Sequence, residues 1–257
     1  MDTVTSADGT TIAFDQYGDG PPVIMAVAAF NTRSATDPLA RALAPQFTVL
    51  NYDRRGRGDS GDTTPYAVDR EIDDIAALIT AALSARVAPE EWPNTAADPP
   101  AAGLPITKLA LYEPPFRTDD SHPGLPPDLP AKLAGLVSAG RRGDAVELYQ
   151  TQAVGIPEDV VAQMRHAPFR PGMEAIAHTL AYEAAVVGDR SLPAGLIGSI
   201  HVPALVISGE SSPPFLRNAA RATAAALPGG RLVTLPGQTH DINPEATAPV
   251  MAEFLAS

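Results

Sequence analysis

The sequence predicts a mostly parallel, doubly wound α/β sheet with a helical cap inserted into it. Short continuous apolar runs such as Val23–Ala29 and Ala204–Ser208 are typical of strands that are buried on both faces. These runs alternate with stretches of helical periodicity, of which Tyr66–Leu83 is the clearest. A stretch without any strand pattern, 129–188, interrupts the alternation after Tyr112. We interpret the alternation as one layered sheet and the interruption as the cap.

The first half of the chain begins with a predicted β-hairpin. Its turn is Ala7-Asp8-Gly9-Thr10, flanked by the strand-like segments Thr3–Ser6 and Thr11–Asp15. Phe47–Tyr52 is a further apolar run and predicts a second buried strand. The helix predicted at Tyr66–Leu83 places its apolar residues on one face, namely Val68, Ile72, Ile75, Ala76 and Ile79.

The second half predicts one strand, several cap helices and then two strands that are each followed by a helix. The cap helices are predicted at Leu129–Ala139, Asp144–Val154, Glu158–Arg165 and Met173–Val187. The strands are predicted at Ile106–Tyr112, Ala204–Ser208 and Arg231–Leu235, and the last two helices at Pro214–Leu227 and Pro244–Ala256. We therefore assign 1–115 and 200–257 to the core and 116–199 to the helical cap.

The composition restricts the classes of partner and cofactor. A net charge of −12 and a pI near 4.7 argue against nucleic acid and against anionic membranes as partners. The chain has no cysteine, so disulfides, thiolate metal sites and a cysteine nucleophile are excluded. Neither a nucleotide-binding fingerprint nor a clustered set of metal ligands is present, and we expect no cofactor. Without a signal-peptide or membrane-span pattern, we expect a cytoplasmic protein that takes a small molecule; its oligomeric state stays open.

Four stretches of the chain carry a family resemblance. The most specific is the glycine-rich turn Tyr52-Asp53-Arg54-Arg55-Gly56-Arg57-Gly58-Asp59-Ser60, which is close to a D-x-R-G-x-G-x-S pattern. The others are the strand Val23–Ala29 with its following loop, Leu109–Pro115, and Gly237-Gln238-Thr239-His240 after the last strand. In this order and spacing the chain resembles the α/β-hydrolase superfamily, in its small bacterial form, along nearly its whole length. The resemblance implies an enzyme lineage that hydrolyses esters or similar bonds of small molecules.

The resemblance implies that His240 is a general base, because the family carries its catalytic histidine on the loop after the last strand. An acid orients this histidine in the family, and two positions remain open for it. Glu113 ends the strand Ile106–Tyr112, where haloalkane dehalogenases place their acid, and we favour it. Glu210 lies near the more usual position, but there the sequence has Ser212 instead of the common aspartate.

The resemblance also implies an oxyanion hole in the loop after Val23–Ala29. Phe30 and Asn31 occupy this loop in place of the common His-Gly pair, and their backbone N–H groups are the candidate donors. His178 lies in a predicted cap helix, where it either lines a pocket or simply packs. The alternative interpretation is that His240 is a loop histidine without a function and that Glu113 only caps a turn.

The segment 84–105 departs from the family. There the family has a buried strand and a G-x-S-x-G turn that carries the nucleophile, but no such motif occurs anywhere in the chain. The prolines Pro89, Pro93, Pro99, Pro100 and Pro105 exclude a regular helix across the segment. Glu90 or Glu91 falls at the expected turn, but their neighbours are too bulky for it.

Three explanations of the segment stay open. It is a natural remodelling that leaves a catalytically inactive, small-molecule-binding pseudoenzyme; or it is the product of compensating frameshifts; or His240 acts without a covalent intermediate, as in cofactor-free lyase-type enzymes of this fold. A G-x-S-x-G in another frame of the coding DNA across codons 84–102 would decide for the frameshift.

We predict that the backbone amides of 84–102 exchange with solvent faster than those of Val23–Ala29 and Phe47–Tyr52. Pro89 has no backbone N–H to donate to a neighbouring strand, and burying the adjacent carboxylates of Glu90 and Glu91 in a strand is unfavourable. Hydrogen exchange followed by mass spectrometry measures this directly. Exchange through 86–91 as slow as in the two reference strands would contradict the prediction and show that this sequence does build a central strand.

Overall fold

The strands of the described residues form two sheets. The computed structural model describes residues 1–84, 104–118 and 124–257. The first sheet has the order β1-β2-β4-β3, with β1 (Asp2–Thr5), β2 (Thr11–Tyr17), β3 (Pro22–Met25) and β4 (Thr48–Tyr52). The second has the order β5-β6-β7, with β5 (Leu109–Tyr112), β6 (Ala204–Gly209) and β7 (Gly230–Leu235). The pairs β3–β4, β5–β6 and β6–β7 are parallel, whereas β1–β2 and β2–β4 are antiparallel.

The helices fall into two groups. Those of the core are α1 (Asp37–Leu43), α2 (Val68–Ser84), α9 (Pro214–Ala226) and α10 (Pro244–Ala256). Those between β5 and β6 are α3 (Leu129–Ser138), α4 (Arg142–Tyr149), α5 (Glu158–Gln163), α6 (Arg170–Ala175), α7 (Leu180–Val187) and α8 (Ala194–Gly198). We call this second group, 129–198, the helical insertion. In the described ranges, no helix is both long and apolar enough to cross a membrane.

Both sheets are covered by helices on both faces. In β4, the neighbours Val49 and Leu50 point to opposite sides, as consecutive strand residues must. Val49 packs in the cluster that contains α1, whereas Leu50 packs against Leu78 of α2. In β6, Val206 packs against α9 and Ile207 packs against Phe254 of α10. This burial on both faces explains the continuous apolar runs and confirms the predicted α/β fold class.

Helix α10 connects the two sheets. Its residues Ala248 and Ala252 pack in the cluster of Met25 and Val49 of the first sheet, while Phe254 packs on Leu205 of the second. The small side chains let α10 approach α1 and the first sheet closely, and the aromatic ring fills the wider space beside β6. The helical insertion has its own apolar cluster, built around Leu129, Leu133, Val146, Tyr149 and Leu180.

Some of the predicted elements are wrong in extent; the strand predicted at Ile106–Tyr112, for example, begins only at Leu109. In the described part of the chain, the strand predicted at Val23–Ala29 ends at Met25, and the carbonyls of Val27 and Ala28 beyond it accept hydrogen bonds from arginine side chains. The helix predicted at Met173–Val187 is interrupted: α6 ends at Ala175, a 3₁₀ turn spans 177–179, and α7 follows. Arg142 Nη1 donates to the carbonyls of Glu174 and Ala175, at 2.9 and 2.7 Å, and so caps the end of α6.

The segment 84–105 is where the sequence predicts a departure from the family fold, and its residues 85–103 lie outside the described ranges. The same holds for Glu90 and Glu91. The hydrogen-exchange behaviour predicted for 84–102 and the division into core and cap stay predictions.

The glycine-rich turn Asp53–Ser60 is a centre of buried charge. Arg55 forms ion pairs with Asp8 at 2.9 Å and with Asp74 at 2.7 Å. Asp53 is fully buried and accepts the backbone N–H groups of Arg33 and Asp59. Gly58 must be glycine, because its φ is 52° and a Cβ there would lie 2.0 Å from a carboxylate oxygen of Asp53.

We predict that Arg55→Met lowers the free energy of unfolding by about 3–5 kcal/mol, because it leaves the buried carboxylate of Asp74 without its cation. Arg41→Met is the matched control, since the Arg41–Asp37 pair lies on the surface and is screened by solvent. Urea unfolding at pH 7 measures both variants. Equal losses in the two variants would contradict a structural role for the buried pair.

Candidate active site

Glu113 lies directly after β5, at the carboxyl end of the second sheet. Its backbone N–H continues the ladder by donating to the carbonyl of Ile207 at 2.9 Å. Its φ is 45°, which is the left-handed region and is costly for a residue with a Cβ. The turn directs the side chain into the protein, where it has no exposed surface.

The buried carboxylate of Glu113 has a partner for each oxygen. Oε1 accepts the backbone N–H of Gly209, the last residue of β6, at 2.8 Å. Oε2 lies 2.7 Å from Nδ1 of His240. The Nδ1–H of the histidine therefore donates to the carboxylate, which leaves Nε2 as the basic nitrogen of the neutral ring. The His240 side chain is 62% exposed, and among the described residues Nε2 has no hydrogen-bond partner.

This pairing shifts both pKa values. Burial opposes the charged form of Glu113, but the hydrogen bonds from His240 and Gly209 outweigh it and hold the pKa of Glu113 below its ordinary value. The hydrogen bond to Glu113 raises the pKa of His240 above its ordinary value near 6.5.

The two shifts define a pH window for the stability that the pair contributes. The His240 contribution is complete below the unfolded pKa and is lost as the pH rises through the raised folded pKa. The Glu113 contribution is present above its unfolded pKa and is lost as the pH falls through the lowered folded pKa.

The loop that carries His240 is held on both sides of the histidine. The hydroxyl of Tyr112 donates to the carbonyl of Thr239 at 2.8 Å. Glu210 Oε2 accepts the N–H of Gly237 at 2.9 Å, so this second candidate acid holds the turn that leads to His240 and not the imidazole. Ser212, where the family commonly has aspartate, is buried. Glu113 is thus the acid that contacts the histidine.

The predicted oxyanion loop follows β3. Phe30 has a φ of 61°, and its ring packs edge-on against Tyr149 of α4 with 5.4 Å between ring centroids. The N–H of Asn31 donates to the carbonyl of Ala28 at 3.4 Å, whereas that of Phe30 has no acceptor in the described part of the chain. Of the two candidate donors, the backbone N–H of Phe30 is therefore the one without an acceptor among the described residues.

Two buried arginines hold this loop through its carbonyl groups. Arg57 Nη1 donates to Ala28 O at 2.7 Å and to Asn31 O at 3.4 Å, and Arg54 Nη1 donates to Val27 O at 3.3 Å. Both guanidinium groups also pair with Glu183 of α7, which links the loop to the helical insertion. The sequence carries no signal of this role beyond the three arginines of the glycine-rich turn.

The oxyanion loop and α6 enclose an open pocket of about 370 Å³. The insertion side is formed by residues of α6 and its two ends, and the loop side by Phe30, Asn31, Thr32, Ser34 and Ala35. Two of the predicted site residues thus line a pocket between the core and the helical insertion.

His178 occupies a different place. It lies in the 3₁₀ turn before α7, with Nε2 at 3.7 Å from a carboxylate oxygen of Asp62, and burial lowers its pKa. It does not line the pocket beside Phe30, and no contact among the described residues joins it to His240 or Glu113. Within those ranges, no group of three or more histidines and carboxylates is arranged to hold a metal ion.

Comparison with known proteins agrees with this geometry. A crystal structure of an α/β hydrolase from Sphaerobacter thermophilus matches with a TM-score of 0.85 and 49% identity, over 99% of this chain and all of the other. The chain belongs to the α/β-hydrolase superfamily. No protein-family model matches it.

Two more distant similarities are consistent with membership of the α/β-hydrolase superfamily. The 2-(acetamidomethylene)succinate hydrolase of Mesorhizobium japonicum is 26% identical over 260 residues, which are 95% of this chain and 91% of that protein. The enol-lactonase of Burkholderia xenovorans shares the fold, with a TM-score of 0.65 at 20% identity and full coverage of both chains. The lineage of the chain is therefore that of a hydrolase.

We predict that Glu113→Gln lowers the pKa of His240, because a neutral amide does not stabilise the imidazolium. The chemical shift of the imidazole Cε1–H measured against pH reports this, with the signal assigned by its loss in His240→Gln. Glu210→Gln is the control, since Glu210 contacts the loop but not the ring. The same midpoint in wild type and Glu113→Gln would contradict the pairing.

Proposed function

We propose that this protein hydrolyses an ester or similar bond of a small molecule, with His240 as general base and Glu113 as the acid that orients it. The observation that carries the proposal is the 2.7 Å contact of Nδ1 with a fully buried carboxylate. It directs one nitrogen of the ring into the protein and leaves the other basic and exposed. The hydrolase lineage of the chain supports the same reaction class.

The dyad provides proton transfer at a defined atom. His240 Nε2 takes a proton from the attacking hydroxyl group or water, and the Nδ1–H···Oε2 contact then holds an imidazolium against a carboxylate. The proton returns from Nε2 to the leaving group. Because the base must be neutral to act, the rate rises as the pH increases through the raised pKa of His240.

The backbone N–H of Phe30 is the proposed oxyanion donor. It is free among the described residues, and it lies in a loop whose carbonyls are held by Arg54 and Arg57. A donor that is positioned before the reaction stabilises developing negative charge without reorganisation. We further propose that the helical insertion, within 116–199, is a cap over the core and that its α6 provides one wall of the substrate pocket.

A second candidate is a reaction or binding event without a covalent intermediate. It is favoured by the absence of a G-x-S-x-G motif from the whole sequence. In this case His240 activates water or the substrate directly, or the pocket only binds its ligand. Covalent catalysis, direct activation by His240 and ligand binding alone each predict a different combination of ester turnover and labelling by a fluorophosphonate probe.

We predict turnover of short-chain 4-nitrophenyl esters and a loss of at least about 100-fold in kcat/KM in His240→Gln. Glu113→Gln is expected to lose activity by a similar factor, since the ring is no longer held in the correct tautomer. Glu210→Gln is the matched control and keeps most of the activity.

A fluorophosphonate probe separates the mechanisms. Labelling together with turnover indicates a nucleophilic hydroxyl; turnover without labelling indicates direct attack by water. Absence of both, combined with a melting temperature that a small molecule raises, would overturn the enzymatic proposal in favour of a binding protein.

A further inference from the structure

Arg190 is a buried cation without an anionic partner among the described residues. Only 9% of its surface is exposed. Its Nε donates to the carbonyl of Pro115 at 3.0 Å, and its Nη1 donates to the carbonyl of Ala153. A guanidinium has five N–H donors, so three of them have no acceptor in the described part of the chain. Burying a charge with this little compensation is unfavourable.

The other buried arginines show how this fold usually compensates such a charge. Each of them lies within ion-pair distance of at least one carboxylate: Arg54 with Glu71 and Glu183, Arg55 with Asp8 and Asp74, Arg57 with Glu183, and Arg170 with Glu147 and Glu174. In a chain with a net charge of −12, acidic side chains are abundant. The uncompensated charge of Arg190 is therefore a specific feature of its position.

That position is next to the candidate active site. Pro115, which accepts from Arg190 Nε, is two residues beyond Glu113. Ala153, which accepts from Arg190 Nη1, is four residues beyond Tyr149, and the ring of Tyr149 packs against Phe30 of the oxyanion loop. Arg190 thus lies between the segment that carries the acid and the aromatic residue beside the oxyanion donor.

The backbone of Arg190 supports a functional role. Its φ is 63°, and among the described residues the only other non-glycine residues with positive φ are Phe30 and Glu113. Such strained positions cluster at functional sites, where surrounding contacts hold them in place. Here the contacts are the N–H of Arg190 to Val187 O at 2.8 Å and the N–H of Arg117 to Arg190 O at 2.6 Å.

We infer that Arg190 binds a carboxylate of the substrate, so that the site acts on small esters or amides that also carry a free carboxylate group. The inference rests on the proposed function for the reacting bond and adds the substrate class. A carboxylate fits better than a phosphate dianion, because a single uncompensated guanidinium balances one negative charge.

The test compares anions with neutral isosteres by isothermal titration calorimetry, which requires no turnover. The probes are acetate, succinate and glutarate, each against acetamide, succinamide and glutaramide. The wild-type protein is expected to bind at least one of the anions at least tenfold more tightly than its amide. Equal affinities in every pair, or no binding across the whole panel, would overturn the inference.

Variants locate the effect. Arg190→Gln is expected to abolish the preference for the anion, and Arg190→Lys to keep part of it, because the charge stays while the fork geometry is lost. Arg165→Gln is the control: Arg165 is an exposed arginine of the helical insertion that pairs with Glu147, and its loss leaves the preference unchanged. If Arg190→Gln does not fold, the comparison of anions with amides in the wild-type protein and in Arg190→Lys still tests the inference.

The result is separable from that of the proposed function. Turnover of neutral esters without any anion preference refutes the carboxylate site alone. An anion preference that depends on Arg190, without any ester turnover, refutes the hydrolytic proposal alone.

Discussion

The desolvated carboxylate of Glu113 constrains the whole carboxyl edge of the second sheet. A buried charge without hydrogen-bond partners costs several kcal/mol, and this side chain has no exposed surface. Its two oxygens are satisfied by Gly209 at the end of β6 and by His240 in the loop after β7. Three segments that are far apart in sequence are therefore brought to one carboxylate. The left-handed backbone of Glu113 is held by the same contacts that orient the histidine.

A second set of buried charges arranges the other side of the site. Arg54 and Arg57 bind the carbonyls of the loop after β3 and share Glu183 of the helical insertion. With its carbonyls engaged in this way, the loop keeps a free N–H at Phe30 among the described residues. Ion pairs thus link the helical insertion to the core at this point, in addition to the packing of Phe30 against Tyr149. Arg190 also joins the insertion to the core, through the carbonyl of Pro115, but among the described residues it has no carboxylate partner.

The prediction of the fold was successful where burial leaves a local pattern. Strands covered by helices on both faces are continuously apolar, and the alternation of Val49 and Leu50 between two clusters shows the reason. The prediction was less accurate at element ends. The end of β3 and the break before α7 depend on side chains such as Arg54 and Arg142, which bind carbonyls across the fold. Such contacts leave no periodic signal.

The candidate site also combines features that the sequence predicts with features that depend on contacts across the fold. Residue types and their order along the chain sufficed to select His240 and to rank Glu113 above Glu210, through the family resemblance. Only the folded chain shows that Glu113 contacts the ring while Glu210 holds Gly237, because two acids at the ends of neighbouring strands differ in direction and not in chemistry. The pairing of Arg54 with Glu183 joins residues 129 positions apart, and whether a buried arginine meets a carboxylate depends on distances of a few ångströms. Local sequence encodes which surfaces become buried, since burial follows residue type. Which charges meet is decided by packing, since electrostatic partners are selected by proximity in space.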